Sequence, residues 1–314
     1  MKVLFAGLGS IGRRHLKNLK LLCSEQGDIA QVTALRSTDR PLTSDIVRLL
    51  DREITEIDPD ERYDIAFITG PTHQHAAVVA ALKGKVGAFF IEKPLFDKTD
   101  IDLEEMGLGK EQKAYVAAPM RWTWLYMALR QHMNVVMPYS VRCICSSYLP
   151  GWRPEVDYRN VYSARKEMGG GVVLDLIHEW DYLIDLFGMP DKSYCISGHF
   201  SDLEIDSEDL AVYIARYPHF SLELHLDYFG RKERRNIEIF TDEGTIVADF
   251  IEGTIKMPYG NIISYKEQPN KKYLREMAYF LSYVRGHEDN NENSPQRAMQ
   301  ILRVAQGEPK WEPK

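Results

Sequence analysis

Three residues able to exchange protons follow the glycine run 169–171 at intervals of three positions: Asp175, His178 and Asp181. Residues three apart lie on the same side of an α-helix, and the pattern predicts a helix over 172–187. A histidine with a carboxylate one turn away on each side is held in orientation and is basic enough to accept a proton. These residues are therefore candidate catalytic groups, although acidic residues in a first helical turn also favour the helix dipole without any chemistry.

The other histidine patterns do not indicate a metal site. Residues 178–182 (HEWDY) contain the start of a zinc-binding HExxH motif but lack its second histidine. His73 and His75 stand close together in a loop without a carboxylate partner, and such histidines more often cap or pack. We expect no metal ion in the active site.

A lysine stands at the end of a predicted buried strand. Residues 88–91 form the strand, and Glu92-Lys93-Pro94 follow it, so that Lys93 is expected at the carboxyl edge of a sheet. A lysine there can donate a hydrogen bond to a reacting hydroxyl or carry its proton. A surface lysine after a strand is the competing interpretation, and the spacing alone favours neither.

The amino-terminal glycines form a complete GxGxxG pattern, Gly7-Leu8-Gly9-Ser10-Ile11-Gly12, between a strand and a helix. The first glycine permits a tight turn, the second lets the backbone approach a pyrophosphate, and the third lets helix and strand pack closely. The helix N-terminus then faces the phosphate charge. The sequence therefore predicts a dinucleotide site, a glycine turn without a ligand being the alternative.

The second strand, over 31–35, indicates which dinucleotide. Rossmann domains that prefer NAD have an acidic residue at the end of this strand, which binds the ribose hydroxyls and repels a 2′-phosphate. Here the strand is followed by Arg36, Ser37 and Thr38, and the first acid, Asp39, comes too late. Arginine can pair with a 2′-phosphate and the hydroxyls can donate to it, so we expect NADP over NAD. If Arg36 points to solvent, the protein would accept both.

A basic and aromatic segment over 148–166 is expected to bind the substrate. Aromatic faces stack on sugar rings, and arginines form paired hydrogen bonds with carboxylate or phosphate. The candidates are Trp152, Arg153, Tyr158, Arg159 and Tyr162. In an acidic protein such a cluster favours a polar, anionic small molecule, although a solvated loop with aromatic anchors fits the same residues.

Composition narrows the class of protein. The 314 residues carry 39 Lys and Arg against 46 Asp and Glu, a formal charge of -7, which argues against nucleic acid as a partner. No apolar run approaches the length of a membrane span, and no signal peptide is expected before the first glycine turn. Four cysteines without CxxC spacing do not make a disulfide framework. We expect a cytoplasmic protein.

The order of elements predicts two domains. Strands and helices alternate in the first third, a pattern typical of a parallel sheet with helices on both faces. From about residue 119 short strands follow one another through hairpin connections, at Pro218-His219 and at residues 242–244. The sequence predicts an α/β Rossmann domain over 1–118 and an α+β domain with a mostly antiparallel sheet over 119–314.

With these motifs in this order, the chain resembles the glucose–fructose oxidoreductase, inositol dehydrogenase and rhizopine catabolism family (Gfo/Idh/MocA). The resemblance covers nearly the whole chain. It depends on the glycine pattern, residues 68–75 (ITGPTHQH), Glu92-Lys93-Pro94, Met120-Arg121-Trp122 and the GGG…D..H..D segment from 169 to 181. Residues 148–164 further resemble a branch associated with cell-surface sugar synthesis.

The resemblance implies roles for several residues. Lys93 corresponds to the family's catalytic lysine, and His178, with Asp175 beside it, to its histidine. The family also implies a cis peptide before Pro94, an open sheet that supports homodimers or homotetramers, and cofactor contacts from Thr69, Pro71, His75, Glu92 and Lys93. One departure concerns His178, because the commonest family pattern has four steps from the aspartate to the histidine and here there are three.

We therefore expect an NAD(P)-dependent oxidoreductase that transfers a hydride to or from a hydroxyl-bearing carbon of a sugar, sugar acid or nucleotide sugar. Either Lys93 or His178 would take the hydroxyl proton. Arg121 would join the aromatic and basic residues in binding the substrate. Two alternatives remain open: a non-catalytic cofactor-binding sensor, and a relative in which a tightly bound cofactor recycles during epimerisation, hydrolysis or sugar-to-sugar transfer.

Overall fold

The computed structural model describes residues 1–36, 41–133 and 135–308, so that Ser37 and Thr38 lie outside the described residues. The chain divides into two compact units. The first contains residues 1–117 and 273–299, and the second contains residues 118–272 and 300–308. The first unit therefore includes a carboxyl-terminal segment, residues 273–299, whose return to this unit is not evident from local sequence patterns.

The first unit is built on a parallel sheet. Its elements before residue 118 are β1 (Lys2–Ala6), α1 (Ser10–Gln26), β2 (Gln31–Leu35), α2 (Ser44–Val47), β3 (Arg52–Ile54), β4 (Tyr63–Ile68), a 3-10 helix (Thr72–Gln74), α3 (His75–Ala81), β5 (Val86–Ile91) and β6 (Lys113–Val116). Within the described residues the strand order is β3-β2-β1-β4-β5-β6, and every pairing is parallel. This is the predicted Rossmann arrangement.

Apolar strands of the first unit are buried on both faces. Phe5 of β1 stacks on Phe67 of β4 with ring centroids 4.5 Å apart. Phe280, from a helix near the carboxyl end of the chain, meets Phe67 and Phe90 edge-on at 5.9 and 5.2 Å. Burial of these rings explains why the later helix belongs to the first unit, because each removes a large apolar area from water.

The second unit contains the larger sheet. In chain order the remaining elements are a 3-10 helix (Pro119–Trp122), α4 (Trp124–Met133), β7 (Ser140–Tyr148), four 3-10 helices (Leu149–Gly151, Tyr158–Asn160, Tyr162–Ala164, Lys166–Met168), α5 (Val172–Asp175), α6 (His178–Phe187), β8 (Lys192–Gly198), β9 (Leu210–Arg216), β10 (Ser221–Asp227), β11 (Phe229–Thr241), β12 (Gly244–Asp249), β13 (Thr254–Lys256), β14 (Ile262–Ser264), α7 (Lys271–Val284) and α8 (Pro295–Ala305). Helix α7, apart from its first two residues, and the start of α8 belong to the first unit.

The sheet of the second unit is mostly antiparallel, as predicted. Its order over the described residues is β14-β13-β12-β11-β7-β10-β9-β8, and only the β10–β7 pairing is parallel. Both predicted hairpins are present, β9–β10 around Pro218-His219 and β11–β12 around residues 242–243. Trp180 of α6 packs edge-on against Tyr213 of β9 at 5.2 Å, so that α6 covers one face of the sheet.

The expected continuous helix over 172–187 is interrupted. Helix α5 ends at Asp175 and α6 begins at His178, since Leu176 has φ −97° and ψ 24°, outside the helical region. Asp175 and His178 therefore do not share one continuous helical face. Only His178 and Asp181 share a helix with the predicted spacing, since both are on α6.

Two kinds of feature do not occur among the described residues. No helix there has the length and apolar character needed to cross a bilayer. Nor does that part of the chain contain three or more His, Cys, Asp or Glu side chains grouped so that they could hold a metal ion.

Candidate active site

The glycine loop of the first unit has the geometry of a phosphate cradle. Gly7 has φ +103°, and a Cβ there would lie 2.5 Å from the backbone nitrogen of Gly70. A Cβ on Gly12 would lie 2.3 Å from the carbonyl oxygen of Gly7, so both positions require glycine. Space around Gly9 is open, and the first turn of α1, which includes Ser10 and Ile11, has no side-chain cap and no acidic residue. These features fit a bound pyrophosphate.

The loop after β4 is tied to the glycine loop. Thr69 donates a hydrogen bond from Oγ1 to the carbonyl oxygen of Gly7 at 2.6 Å, and its backbone nitrogen donates to Ala6. Pro71 lies two residues further on, immediately before the 3-10 helix. The strand ends are aligned because Ile68 pairs with both Ala6 and Ile91. The loops after β1, β4 and β5 are therefore neighbours at the carboxyl edge of the sheet, where ligands bind in this class of fold.

His75 connects the loop after β4 with the loop after β5. Its side chain is buried, with Nδ1 3.1 Å from the carbonyl oxygen of Leu95 and Nε2 3.1 Å from that of Gly70. A neutral imidazole can donate only one of these hydrogen bonds. Burial lowers the pKa of His75 and outweighs the opposing effect of the two carbonyls. The residue supports the loops on either side of it.

Glu92 and Lys93 follow β5, and the Lys93–Pro94 peptide bond is cis. Lys93 is half-buried, whereas the Glu92 side chain is buried and is paired with His15 of α1, with Nε2 and Oε1 2.6 Å apart. His15 was not predicted from the sequence, although it stands three residues after the last glycine of the GxGxxG pattern. That interval places it on the buried side of α1 together with Gly12.

Arg36 follows β2 and forms an ion pair there. Its Nη1 is 2.5 Å from Oε2 of Glu53, on the neighbouring strand β3. An acidic residue is therefore close to the predicted ribose site, even though it comes from β3 and not from the end of β2. The sequence could not show this because residues 36 and 53 are 17 positions apart.

In the second unit, Asp175 is the centre of a buried hydrogen-bond network. Its Oδ2 accepts hydrogen bonds from Ser163 Oγ at 2.6 Å and from Tyr228 OH at 2.7 Å. Burial and the nearby carboxylate raise the pKa of Tyr228 well above its usual value, so that its hydroxyl remains a donor. Neither partner was identified from the sequence, since they come from a separate 3-10 helix and from the segment after β10.

Asp181 is paired with Arg121. The Arg121 guanidinium, 5% exposed, hydrogen-bonds Asp181 and also Asp185 one turn later on α6. The expectation that Arg121 binds substrate therefore has to be corrected, because all three of its guanidinium nitrogens are hydrogen-bonded inside the unit. His178 itself is half-buried at the first position of α6.

Most of the expected substrate residues of the second unit surround one pocket of about 100 Å³. Ligand pockets commonly measure about 300 Å³ or more, so this one would hold a single group of a larger molecule. Trp152 is fixed by a 3.0 Å hydrogen bond to Ser147 Oγ and by edge-on contact with Tyr228. The pocket is lined by Leu149, Trp152, Arg153, Val156, Tyr158, Val161, Tyr162 and Ser163.

The two candidate arginines of this segment differ. Arg159 forms paired hydrogen bonds with Asp157 and a further one with Glu204 Oε2 at 2.8 Å, and it does not line the pocket. Those bonds lower the pKa of Asp157. Arg153 lines the pocket, is exposed, and makes no ion pair with any residue that the structure describes. Arg153 is thus the better candidate for an anionic ligand.

A parallel sheet with a glycine cradle, together with a lysine at the same edge, defines the protein as a dinucleotide-binding oxidoreductase. The chain belongs to the Gfo/Idh/MocA family. Residues 1–111 match the family model described as "Oxidoreductase family, NAD-binding Rossmann fold", and residues 138–247 match the one described as "GFO/IDH/MocA C-terminal domain". These matches confirm the resemblance that the motifs indicated.

Individual relatives are distant. A myo-inositol 2-dehydrogenase of Thermotoga maritima is 24% identical over 315 residues, covering 92% of this chain and 89% of the relative. Among solved structures, UDP-N-acetylglucosamine 3-dehydrogenase GnnA from Acidithiobacillus ferrooxidans superposes with a TM-score of 0.74 at 18% identity, covering 98% of this chain and 95% of that one. Levoglucosan dehydrogenase in complex with NADH and levoglucosan gives 0.79 at 15% identity, with the same coverage. At such identities the structural likeness shows the fold.

Proposed function

We propose that this protein transfers a hydride between a nicotinamide cofactor and a hydroxyl-bearing carbon of a sugar or sugar derivative, with Lys93 exchanging the hydroxyl proton. The observation that carries the proposal is the alignment of strand ends, which brings the Lys93 segment and the glycine cradle to the same edge of one sheet. The named relatives, which act on inositol, a nucleotide sugar and levoglucosan, support a polyhydroxylated substrate.

The mechanism assigns each chemical task to a group. When bound, the cofactor supplies the hydride acceptor or donor. In the oxidative direction the substrate hydroxyl gives its proton to the neutral amine of Lys93 while the C–H hydrogen leaves as hydride, so that a carbonyl forms. In the reductive direction the ammonium form of Lys93 returns the proton to the developing alkoxide. The glycine cradle holds the pyrophosphate and leaves the carboxyl edge of the sheet to the reacting end of the cofactor.

His178 is the second candidate for proton exchange. It begins α6, and that helix is braced through Asp181 and Asp185 by Arg121. Asp175 lies in the buried network with Ser163 and Tyr228, and we assign it to the support of the pocket wall rather than to proton transfer. On this proposal His178 would take the proton if Lys93 does not.

The pocket of the second unit supports an anionic substrate. Its apolar and aromatic lining suits the face of a ring, and Arg153 at its edge can form paired hydrogen bonds with a carboxylate or phosphate. We propose that Trp152, Tyr158 and Tyr162 contact the substrate and that Arg153 pairs with its acidic group.

For the cofactor we propose NADP over NAD. Arg36 provides a positive charge at the end of β2, where an NAD-preferring domain would have an acid. The ion pair with Glu53 reduces that charge in the free protein, so that NADP has to compete with Glu53 for the guanidinium. The preference would therefore be moderate.

We also propose that the protein forms a homo-oligomer through the open sheet. Tyr194 and Ile214 are cross-strand partners on β8 and β9, and they are 42% and 57% exposed. Ile196 of β8, 69% exposed, lies on the same face. Apolar side chains grouped on an exposed sheet face are typical of an interface between subunits.

The test measures turnover of a panel of neutral, acidic and nucleotide-linked sugars. Each sugar is tried with NADP and with NAD, and the reaction is monitored by the absorbance of the reduced nicotinamide. On the best substrate, Lys93→Met is expected to lower kcat by about 10²- to 10⁴-fold without changing cofactor affinity. Lys98→Met, at an exposed lysine five residues later, is the matched control. If the wild-type protein binds cofactor but turns over no substrate, the alternative of a non-catalytic cofactor-binding sensor is favoured. If it retains cofactor through dialysis and shows no net oxidation, the alternative of a tightly bound, recycling cofactor is favoured.

A further inference from the structure

The buried pair of His15 and Glu92 has no role in the mechanism above. His15 is 0% exposed and Glu92 7%, and the 2.6 Å contact joins Nε2 of the imidazole to Oε1 of the carboxylate. The other carboxylate oxygen, Oε2, accepts a hydrogen bond from the backbone nitrogen of Lys93 at 3.3 Å. Glu92 is therefore held at the segment that carries the candidate catalytic lysine.

The geometry indicates which partner carries the charge. Among the described residues, Nδ1 of His15 has no hydrogen-bond partner, and it is buried against the aromatic rings of Phe90 and Tyr273. Protonation would place a buried N–H donor there without an acceptor, which is unfavourable. The neutral tautomer with hydrogen on Nε2 avoids this cost and donates to Glu92. The pair then consists of a neutral imidazole and an ionised carboxylate, with one net negative charge.

The surrounding groups leave that negative charge in place. Burial alone would raise the pKa of Glu92, but the hydrogen bond from His15 is the largest of several effects that outweigh burial and hold this pKa below its usual value. His75, the other buried histidine of these loops, is kept neutral by burial. The guanidinium of Arg14 lies over the ring of Tyr273, 4.6 Å from its centroid.

Glu92 stands at the edge of the sheet where we expect the nicotinamide ring to bind. The ring carries one positive charge when oxidised and none when reduced, and ligands of such sheets bind at the strand ends beside which Glu92 stands. A carboxylate largely shielded from water interacts with a nearby charge more strongly than an exposed one does. Its effect therefore differs between the two states of the cofactor.

We propose that the His15–Glu92 pair acts as a fixed negative charge beside the cofactor and shifts the binding preference toward the oxidised form. Glu92 supplies the charge, and His15 is the positioning residue that keeps the carboxylate ionised and oriented. This inference rests on the proposed function, because it requires a nicotinamide cofactor at this edge of the sheet.

The test compares dissociation constants of NADP⁺ and NADPH by calorimetry, and it needs no substrate. We expect Glu92→Gln to raise the ratio of the Kd for NADP⁺ to the Kd for NADPH by about tenfold. This is the size of the interaction between two charges that are partly shielded from water. His15→Leu is expected to change the ratio in the same direction, because the buried carboxyl loses its donor and takes up a proton. In His15→Gln, the amide nitrogen reaches the position of Nε2, so that the ratio should return toward the wild-type value.

Leu19→Ala is the matched control, since Leu19 is a buried residue one turn further along α1. It should lower the melting temperature without changing the ratio. An unchanged ratio in both Glu92→Gln and His15→Leu, or an equal change in Leu19→Ala, would overturn the inference and leave the proposed function intact. A wild-type protein that binds neither form of the cofactor would overturn the function itself. If Glu92→Gln does not fold, the comparison of His15→Leu with His15→Gln decides.

Discussion

The guanidinium of Arg121 forms a paired hydrogen bond with the carboxylate of Asp181, from Nε to Oδ2 at 2.8 Å and from Nη2 to Oδ1 at 2.7 Å. The remaining nitrogen, Nη1, donates to Asp185 at 2.9 Å. Because the two aspartates are one turn apart on α6, a single arginine from the 3-10 helix before α4 fixes the helix that begins with His178. Arg121 is therefore a positioning residue for the candidate catalytic histidine.

Removal of this arginine should cost much of the stability of the second unit. Arg121→Ala removes the buried guanidinium that pairs with both Asp181 and Asp185, and we expect a loss of about 3–5 kcal/mol in the free energy of unfolding. Urea denaturation followed by tryptophan fluorescence measures it. The control is Arg130→Ala, because Arg130 contacts the same Asp185 at 3.6 Å but its side chain is 49% exposed. That change should cost no more than about 1 kcal/mol. Equal losses in the two variants would show that the buried pairing of Arg121 stabilises the fold no more than the exposed contact of Arg130.

The elements of this protein could be predicted from local sequence, whereas the partners of its charged residues could not. The glycine pattern and the apolar strands follow from rules that act over a few residues. Arg121 and Asp181 are 60 positions apart, and His15 and Glu92 are 77 apart. A charged residue with the right spacing looks the same in sequence whether it binds a ligand or another side chain.

The interruption between α5 and α6 illustrates the second limit. The periodicity of residues 172–187 is helical throughout, yet the backbone leaves the helix at Leu176. Asp175 accepts hydrogen bonds from Ser163 and Tyr228, which the tertiary structure places beside it. Tertiary packing of this kind overrides local propensity, and a single sequence does not reveal it.

The ion pair of Arg36 with Glu53 should reduce discrimination between the cofactors. Glu53→Gln releases the guanidinium, and we expect NADP to bind about twofold to fivefold more tightly, in keeping with the ~0.5–1 kcal/mol of a partly exposed ion pair. Arg36→Ala should weaken NADP and leave NAD unchanged. Calorimetric titration with both cofactors measures these effects. Glu61→Gln is the control, since it breaks the ion pair with Arg52 in the same unit. Tighter binding of NAD than NADP by the wild type would contradict the proposed preference.

The burial of His75 should make the stability of the first unit depend on pH. Since burial lowers its pKa in the folded state, the unfolded chain takes up a proton first as the pH falls below the ordinary histidine value of about 6.5. The stability contributed by the neutral ring is therefore present above that pH and is lost below it. Urea denaturation between pH 7.5 and pH 5.5 should show a smaller decrease for His75→Gln than for the wild type. His73→Gln, at an exposed histidine two residues earlier, should keep the wild-type slope.

Disruption of the exposed sheet face should change the oligomeric state. A charge at Ile214, opposite Tyr194, would have to be desolvated in an interface, so Ile214→Glu should shift the protein toward monomer in light scattering after size exclusion. Ile29→Glu, at an apolar residue of the first unit that is 78% exposed, serves as the control and should not change the mass. A wild-type protein that is monomeric at micromolar concentration would remove the basis for the proposal.

The two arginines of the 148–166 segment give the sharpest test of the substrate site. Arg153 lines the pocket and makes no ion pair within the described residues, whereas Arg159 is already bound to Asp157 and Glu204. An anionic substrate can therefore gain a full charge partner from Arg153, but at Arg159 it would have to displace two carboxylates. We expect Arg153→Ala to raise KM for an acidic sugar by about tenfold or more, the ~1.5–3 kcal/mol of a hydrogen bond to a charged group.

Arg159→Ala, with the same loss of charge a few residues away, should leave KM nearly unchanged. Added salt should raise KM for the acidic sugar in the wild type and in Arg159→Ala but much less in Arg153→Ala, because screening acts only where the charge pair exists. A neutral analogue of the same sugar should show no salt dependence in any of the three proteins. Equal KM values for acidic and neutral sugars in the wild type would mean that Arg153 does not contact the substrate's charge, and the pocket would then have to recognise the ring through Trp152 and the two tyrosines alone.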